Sequence, residues 1–453
     1  MFFAHPLLRW VNKLSAVQLI LVFYLLAVVM STCLLALPIA YQDGVDISFI
    51  DILFTAVSAI SVTGLSTITV ADTLSTTGII FLAIVLQLGA VGVMAIGTSI
   101  WLLLGKKIGL RERRLIMTDQ NQTRFAGMVN LIKQLFLVLG VIELTGFLVL
   151  GTYYLQYFPT GEAYLNGFFG TVSAISNGGF DITGSSLIPF KDDYFVQFIN
   201  ILLIIFGAIG FPVLIELKEY LFSKISDRKT FRFTLFTKLT TTTFFVLVVL
   251  GTLFIYLFDS VQFFEGKTWH ETFFYALFQS VTTRSGGLST MDVSLLTEQN
   301  HLFMSVLMFI GASPSSAGGG IRTTTFALVV IFIITYVRGG ESIRLFRREV
   351  YQEDLLKAVT VMLVAIVFVF MSVITISVIE PFSVIQILFE VTSAFGTVGL
   401  SLGITSELTT ASKLILMVLM FIGRIGIITF LFTFKNNTKQ GNFHYPKEKI
   451  IIG

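Results

Sequence analysis

Long apolar runs and short polar stretches follow one another along the chain in a repeated order. Runs at about 17–37, 131–157, 236–257 and 357–379 are each long enough to cross a bilayer, because roughly 20 residues rising 1.5 Å apiece span about 30 Å of hydrocarbon. Each is followed by a shorter segment, at about 48–60, 164–176, 270–283 and 382–395, too short to cross and ending in a glycine-containing stretch. These read as re-entrant half-helices. A second long run, at about 79–104, 195–221, 302–337 and 411–434, completes each unit. The pattern predicts an all-α integral membrane protein. It has four tandem helix–pore-loop–helix repeats, with eight transmembrane helices and four re-entrant pore helices around a pseudo-fourfold pore. The expected divisions are 1–104, 105–235 with its preceding linker, 236–356, 357–434, and a polar tail at 435–453.

Internal similarity supports the division. The segments FTAVSAISVTGLS from Phe54, FGTVSAISNGGFD from Phe169, LFQSVTTRSGGLS from Leu277 and FEVTSAFGTVGLS from Phe389 align. Their common glycines, Gly64, Gly179, Gly287 and Gly399, lie 115, 108 and 112 residues apart. A second landmark begins at Gly89, Gly207, Gly311 and Gly423, which follow 25, 28, 24 and 24 residues later. Two landmarks recurring four times in fixed order identify repeats. Small residues are common where membrane helices pack closely, so the second set reads as packing glycines.

Composition changes this picture little. Residues are 55% hydrophobic and 13% charged, about half the charged share of soluble proteins, which leaves too little polar surface for solution. Charge placement adds orientation. Basic residues cluster at Lys106–Arg124, Lys218–Lys238, Arg338–Lys357 and Lys435–Lys449, whereas Asp43, Asp46, Asp72, Glu162, Asp192, Asp193, Asp259 and Glu265 mark the intervening loops. The positive-inside rule puts the basic loops and both termini in the cytoplasm and the re-entrant loops outside. Alternation with apolar runs argues against a nucleic-acid surface. The start of the chain shows no small-residue cleavage site after a short apolar core, so a retained first helix is expected. Cys33 alone forms no internal disulfide, and four scattered histidines offer no metal site.

Irregular backbone at membrane depth is tolerated only inside protein or along a water path. Four such loops around an axis set carbonyls at one level, where they replace an ion's hydration shell. Half-helices running inward bring their negative C-terminal ends to the same point. The candidate filter comprises Val62, Thr63 and Gly64; Asn177, Gly178 and Gly179; Ser285, Gly286 and Gly287; and Thr397, Val398 and Gly399. No carboxylate lies within them, although Asp181 follows the second closely, which favours a monovalent cation over a divalent one. The third unit's second run is interrupted by GASPSSAGGG, residues 311–320. Pro314 and the triplet Gly318, Gly319 and Gly320 oppose helix there, so Gly311–Gly320 forms a non-helical insert at membrane depth. It lacks the Gly-Lys-Ser/Thr ending of a phosphate loop. Arg424 lies within an apolar run, where a charge costs about 2.5–3.5 kcal/mol and must face the interior. Arg284 is expected to brace the third loop, against Glu390, Arg322 to anchor the insert, and Glu143 to pair within the bundle.

These residues resemble the Trk/Ktr/HKT superfamily of K⁺ transporters, from about residue 15 to 434, and are most similar to the bacterial Ktr-type membrane subunit. The resemblance implies that the four glycines line the selectivity filter. Gly64, where Na⁺-preferring plant members carry serine, implies K⁺ as substrate, with Na⁺ coupled or activating and no covalent cofactor. It further implies that the insert, with Gly311, Pro314 and Gly318–Gly320, is an intramembrane gate and that Arg424 is an electrostatic barrier beside it. It also implies a homodimer in the cell membrane, docked on a ring of cytosolic nucleotide-binding regulatory subunits. A secondary transporter of an organic solute is the alternative, though all four units run in the same direction rather than inverted. A membrane enzyme would need convergent titratable groups, and the spans hold mainly isolated charges.

Overall fold

The computed structural model describes residues 14–92, 128–223, 231–340, 342–433, 446 and 448. The chain termini, most of the linker 105–130, the far part of the first unit's second run and most of the tail lie outside the described residues. So do the orientation arguments that rest on them.

The long apolar runs form α1 (Ala16–Leu35), α4 (Met128–Tyr154), α8 (Leu235–Asp259) and α12 (Gln352–Ile379). Among the described residues these are the helices long and apolar enough to cross a membrane singly. Their outward faces stay apolar, with Met30 at 70%, Val249 at 64% and Val378 at 83% exposure. Water would not tolerate such a surface, and lipid does. The chain is a multi-pass membrane protein.

The short segments form α2 (Phe49–Ser61), α5 (Thr160–Ser176), α9 (Trp269–Thr282) and α13 (Val384–Gly396). Each packs against the long helix before it. Ser48 and Ser383 accept N–H bonds from the third residue of their helices, supplying partners for otherwise unpaired amides. Thr268 N–H donates to Glu271 at the start of α9, 2.8 Å.

The second runs differ from expectation. None is one continuous helix. α3 (Thr76–Val91) stops at Gly92. The second unit bends by 107° between α6 (Tyr194–Ala208) and α7 (Phe211–Phe222). The third breaks between α10 (Glu298–Ile310) and α11 (Thr323–Val337), and the fourth between α14 (Thr410–Ile425) and α15 (Ile427–Thr433). The physical cause is common to them. Gly92, Gly210, Gly311 and Gly426 take φ of 92°, 102°, 69° and 90°, a region that only glycine enters readily. The linker before α12 holds a small hairpin, β1 (Arg344–Leu345) and β2 (Arg348–Glu349), antiparallel. Phe346 and Arg347 turn it with positive φ, as a two-residue loop requires.

The first halves of the second runs also pack onward. α3 packs on α5, α6 on α9, α10 on α13, and α14 back on α2. The order closes on itself, so the four short helices stand in a ring, each held between two neighbours.

Candidate ion pathway

Helices α2, α5 and α13 end alike. Val62, Asn177 and Thr397 sit in the left-handed region at φ 58°, 57° and 49°. The next amide reaches back five residues: Thr63 to Ser58, Gly178 to Ser173 and Val398 to Ser393, at 2.8–2.9 Å. This satisfies end carbonyls that a helix otherwise leaves open. A left-handed β-branched residue costs on the order of 1–3 kcal/mol and persists only where packing over-determines it. Val62 and Thr397 are both fully buried. α9 ends differently, turning through Thr283 and Arg284 before Ser285 takes φ 81°.

The four chain segments that follow meet. A Cβ added to Gly64 would lie 2.9 Å from Cα of Gly179, and one on Gly179 2.8 Å from Cα of Gly287. At Gly287 it would lie 2.5 Å from the carbonyl oxygen of Val398, and at Gly399 3.1 Å from Cα of Gly64. Glycines 64, 179, 287 and 399 thus approach one another in the same cyclic order as the helices, with no room for side chains. Val62–Gly64, Asn177–Gly179, Ser285–Gly287 and Thr397–Gly399 are therefore brought together.

Side chains of the short helices hold the segments beyond the ring. Ser173 Oγ donates to Phe180 O and Thr282 Oγ1 to Leu288 O, both 2.6 Å. Gln279 donates to Ser289 Oγ at 2.6 Å. Glu390 accepts from Leu402 N at 3.1 Å, from Thr405 Oγ1 at 2.9 Å, and from Ser401 Oγ. Asp181 accepts from the backbone amides of Thr183 and Ser186 at 2.9 and 2.8 Å. It braces its own loop. Ser285 Oγ donates to Thr397 O, tying the third loop to the fourth.

The expected Arg284–Glu390 pairing is not formed. Glu390 spends its oxygens on its own loop. Arg284, completely buried, donates to Leu307 O, and its Nε and Nη1 find no partner among the described residues.

Residues 311–322 lie against the C-terminal ends of α9 and α13, nearly all buried. A Cβ on Gly318 would lie 2.5 Å from Ser285 Cβ, and one on Gly319 2.6 Å from Thr397 Oγ1. The insert therefore abuts the third and fourth loops directly. Its amides dock across units: Ser313 N on Ala208 O and Ala317 N on Gly207 O, both 3.0 Å. Phe211 N returns a bond to Ser315 O at 2.8 Å. Pro314 O faces Gly210, where a Cβ would come within 2.8 Å. Arg322 donates to Ser313 O at 3.3 Å and to Gly318 O. Arg424 Nη1 reaches the carbonyls of Ser316, Ala317 and Gly318, while Nη2 reaches Gly89 and Ala90. Arg424 thus staples the insert to the end of α3, entirely through carbonyls.

Two contacts behind the ring carried no signal in the sequence pattern. Lys413 on α14 pairs with Asp51 on α2 at 2.9 Å, although 362 residues separate them. Tyr24 OH donates to Ile60 O at 2.6 Å.

Residues 15–445 match the TrkH family, described as a cation transport protein. The chain is 54% identical to Ktr system potassium uptake protein D of Bacillus subtilis over 98% of this chain and 99% of that one. It is 34% identical to Ktr system potassium uptake protein B of the same organism, over 98% of each. Identity is 30% with potassium/sodium uptake protein NtpJ of Enterococcus hirae, again over 98% of each. A crystal structure of the potassium transporter TrkH from Vibrio parahaemolyticus shares the fold at a TM-score of 0.69 and 19% identity. The match covers 91% of this chain and 84% of that one. On the family match and these near full-length relatives, the chain belongs to the TrkH family of cation transport proteins.

Proposed function

We propose that this chain is the ion-translocating membrane subunit of a K⁺ uptake system. The observation that carries the reading is the closed ring of Gly64, Gly179, Gly287 and Gly399, in which each glycine excludes a side chain at its neighbour. On this reading, first helices and broken second runs make eight crossings in four repeats. The short helices are the pore helices of a pseudo-fourfold pore. Backbone carbonyls of the four loops strip water from the ion. The C-terminal ends of the pore helices, each worth about half a negative charge, favour a cation there. Neutral oxygens rather than carboxylates at 62–64, 177–179, 285–287 and 397–399 suit a monovalent ion. The names of the relatives support K⁺, and one of them, a potassium/sodium uptake protein, supports a part for Na⁺.

The membrane potential drives entry, at about 2.3 kcal/mol per charge per 100 mV. Residues Gly311, Pro314, Gly318, Gly319 and Gly320, with Arg424, form the gate between the filter and the cytoplasm. The chain works in the plasma membrane as a homodimer with both termini inside. A cytosolic regulatory subunit, a ring of nucleotide-binding domains, docks on the basic loops. The relatives' designation as parts of a Ktr system supports such a partner.

The test is Rb⁺ uptake into proteoliposomes under an inside-negative potential, with and without the regulatory partner. Gly64→Ser or Gly399→Ser is expected to cut the K⁺-over-Na⁺ preference roughly tenfold or more, a change of about 1.4 kcal/mol. Folded variants that keep wild-type flux and preference would remove the filter from these loops.

A further inference from the structure

A lateral groove of about 610 Å³ opens between α3 and α4, with the back of pore helix α5 as its floor. Ile84, Leu144 and Phe168 on its walls are 48%, 60% and 39% exposed, so the groove faces the hydrocarbon of the bilayer. Its depth is fixed by Glu143, which stands near the middle of the 25-residue span Asn130–Tyr154. Glu143 is the one ionisable residue in the lining. Gln87 Nε2 donates to its Oε1 at 2.6 Å. No basic side chain pairs with it among the described residues. A second polar group lines the same groove. Thr171 is 1% exposed, and its hydroxyl has no hydrogen-bond partner among the described residues. One turn before Glu143 on the same face of α4, Gly140 leaves open space, since a Cβ there would meet nothing within 4 Å.

A carboxyl without a basic partner is expensive at this depth in the bilayer. An acyl tail passing at this depth offers neither a donor nor a charge. An ammonium offers both, with up to three N–H donors, and an apolar body would fill the remainder. The volume matches an ordinary small-molecule site, about 300–1,000 Å³. We propose that the α3–α4–α5 groove is a binding site for lipophilic amines entering from the bilayer. The ammonium lies against the Glu143 carboxylate, and the chain lies along Ile84 and Phe168. The site is separate from the ion pathway.

The experiment compares dodecylamine with dodecanol, using the full-length chain in nanodiscs and reading the thermal unfolding midpoint and the number of ligands retained in native mass spectrometry. Dodecylamine is expected to raise the midpoint of the wild type and to remain bound, whereas dodecanol at equal membrane concentration does neither. Glu143→Gln should weaken dodecylamine binding by roughly tenfold or more, or about 1.4 kcal/mol. Gly140→Leu, which fills the groove but keeps the Gln87–Glu143 pair, should abolish it and guards against misfolding of the first variant. Equal binding of amine and alcohol, or dodecylamine binding undiminished in folded Gly140→Leu, overturns the site. Neither readout depends on ion transport.

Discussion

At the residue scale, close approach decides which glycines matter and how. Gly423 presses on the carbonyl of Phe395 at the end of α13, and Gly89 on that of Ile60 at the end of α2. These two second-landmark glycines are seats for the short helices α13 and α2. Gly423→Ala must displace backbone rather than a flexible side-chain tip. It should lower stability by about 1–3 kcal/mol, the usual cost of overpacking, and reduce Rb⁺ uptake with it. Gly140→Ala meets open space within a helix and should stabilise by up to about 1 kcal/mol. Thermal unfolding of the two variants side by side checks both signs. Equal effects would mean that the packing around Gly423 yields. The spacing of these glycines was legible as repetition, but their separate duties were not, because repetition carries no distance. The alignment also has a limit at single-residue resolution. It places Leu277 with Phe54, Phe169 and Phe389, yet Leu277 is only partly buried and its neighbour Phe278 is the fully buried aromatic of α9. The irregular last turn through Thr283 and Arg284 has no counterpart in the other three units.

At the element scale, the long apolar helices and the short helices between them were readable because hydrophobic length is a direct demand of the bilayer. Their observed ends fall within a few residues of expectation, the largest shift being the start of α12 at Gln352 rather than 357. The breaks in the second runs were not readable beyond the third unit. A lone Gly92, Gly210 or Gly426 in an apolar stretch looks like any packing glycine, and only the fold shows its positive φ. The Lys413–Asp51 pair was invisible for another reason: sequence separation hides a contact made by ring closure. The pair joins the last second run to the first pore helix. A double-mutant cycle with Lys413→Met and Asp51→Asn should give a coupling of about 0.5–3 kcal/mol in thermal unfolding. A coupling of zero would leave closure to apolar packing alone. At the start of α9, the Thr268 backbone N–H and hydroxyl hold the exposed Glu271 carboxyl below its usual range. Its contribution is therefore present above the unfolded carboxylate pKa and fades as pH falls through the lower folded one. The stability gap between wild type and Glu271→Gln should shrink on acidification, as midpoints measured at several pH values would reveal.

At the scale of the whole molecule, the insert and its clamps sit against the ring, and on the proposed function they set the resistance below it. Arg424 ties residues 316–318 to Gly89 and Ala90, and Arg322 ties residue 318 to 313. Charged hydrogen bonds contribute about 1.5–3 kcal/mol each when buried. Arg424→Gln should free the insert and raise Rb⁺ uptake several-fold while the K⁺ preference stays, because the loops above keep their carbonyl register. Unchanged uptake would show that the clamp does not limit flux. A cationic pathway was evident from the sequence. The insert's docking onto α6 and α7 was not, since it runs through backbone amides that no side-chain pattern advertises.

Among the described residues, the ring is built from four like segments, whereas the long insert occurs once. A tetramer of identical subunits carries four latches that must release together, and its gating shows cooperativity and partial openings. On the proposed function, a single latch serves the pore of each protomer. Its opening should follow first-order kinetics with one exponential dwell time, no intermediate current levels and no sigmoidal delay. A regulatory partner then needs to pull at only one sector of an otherwise fourfold frame.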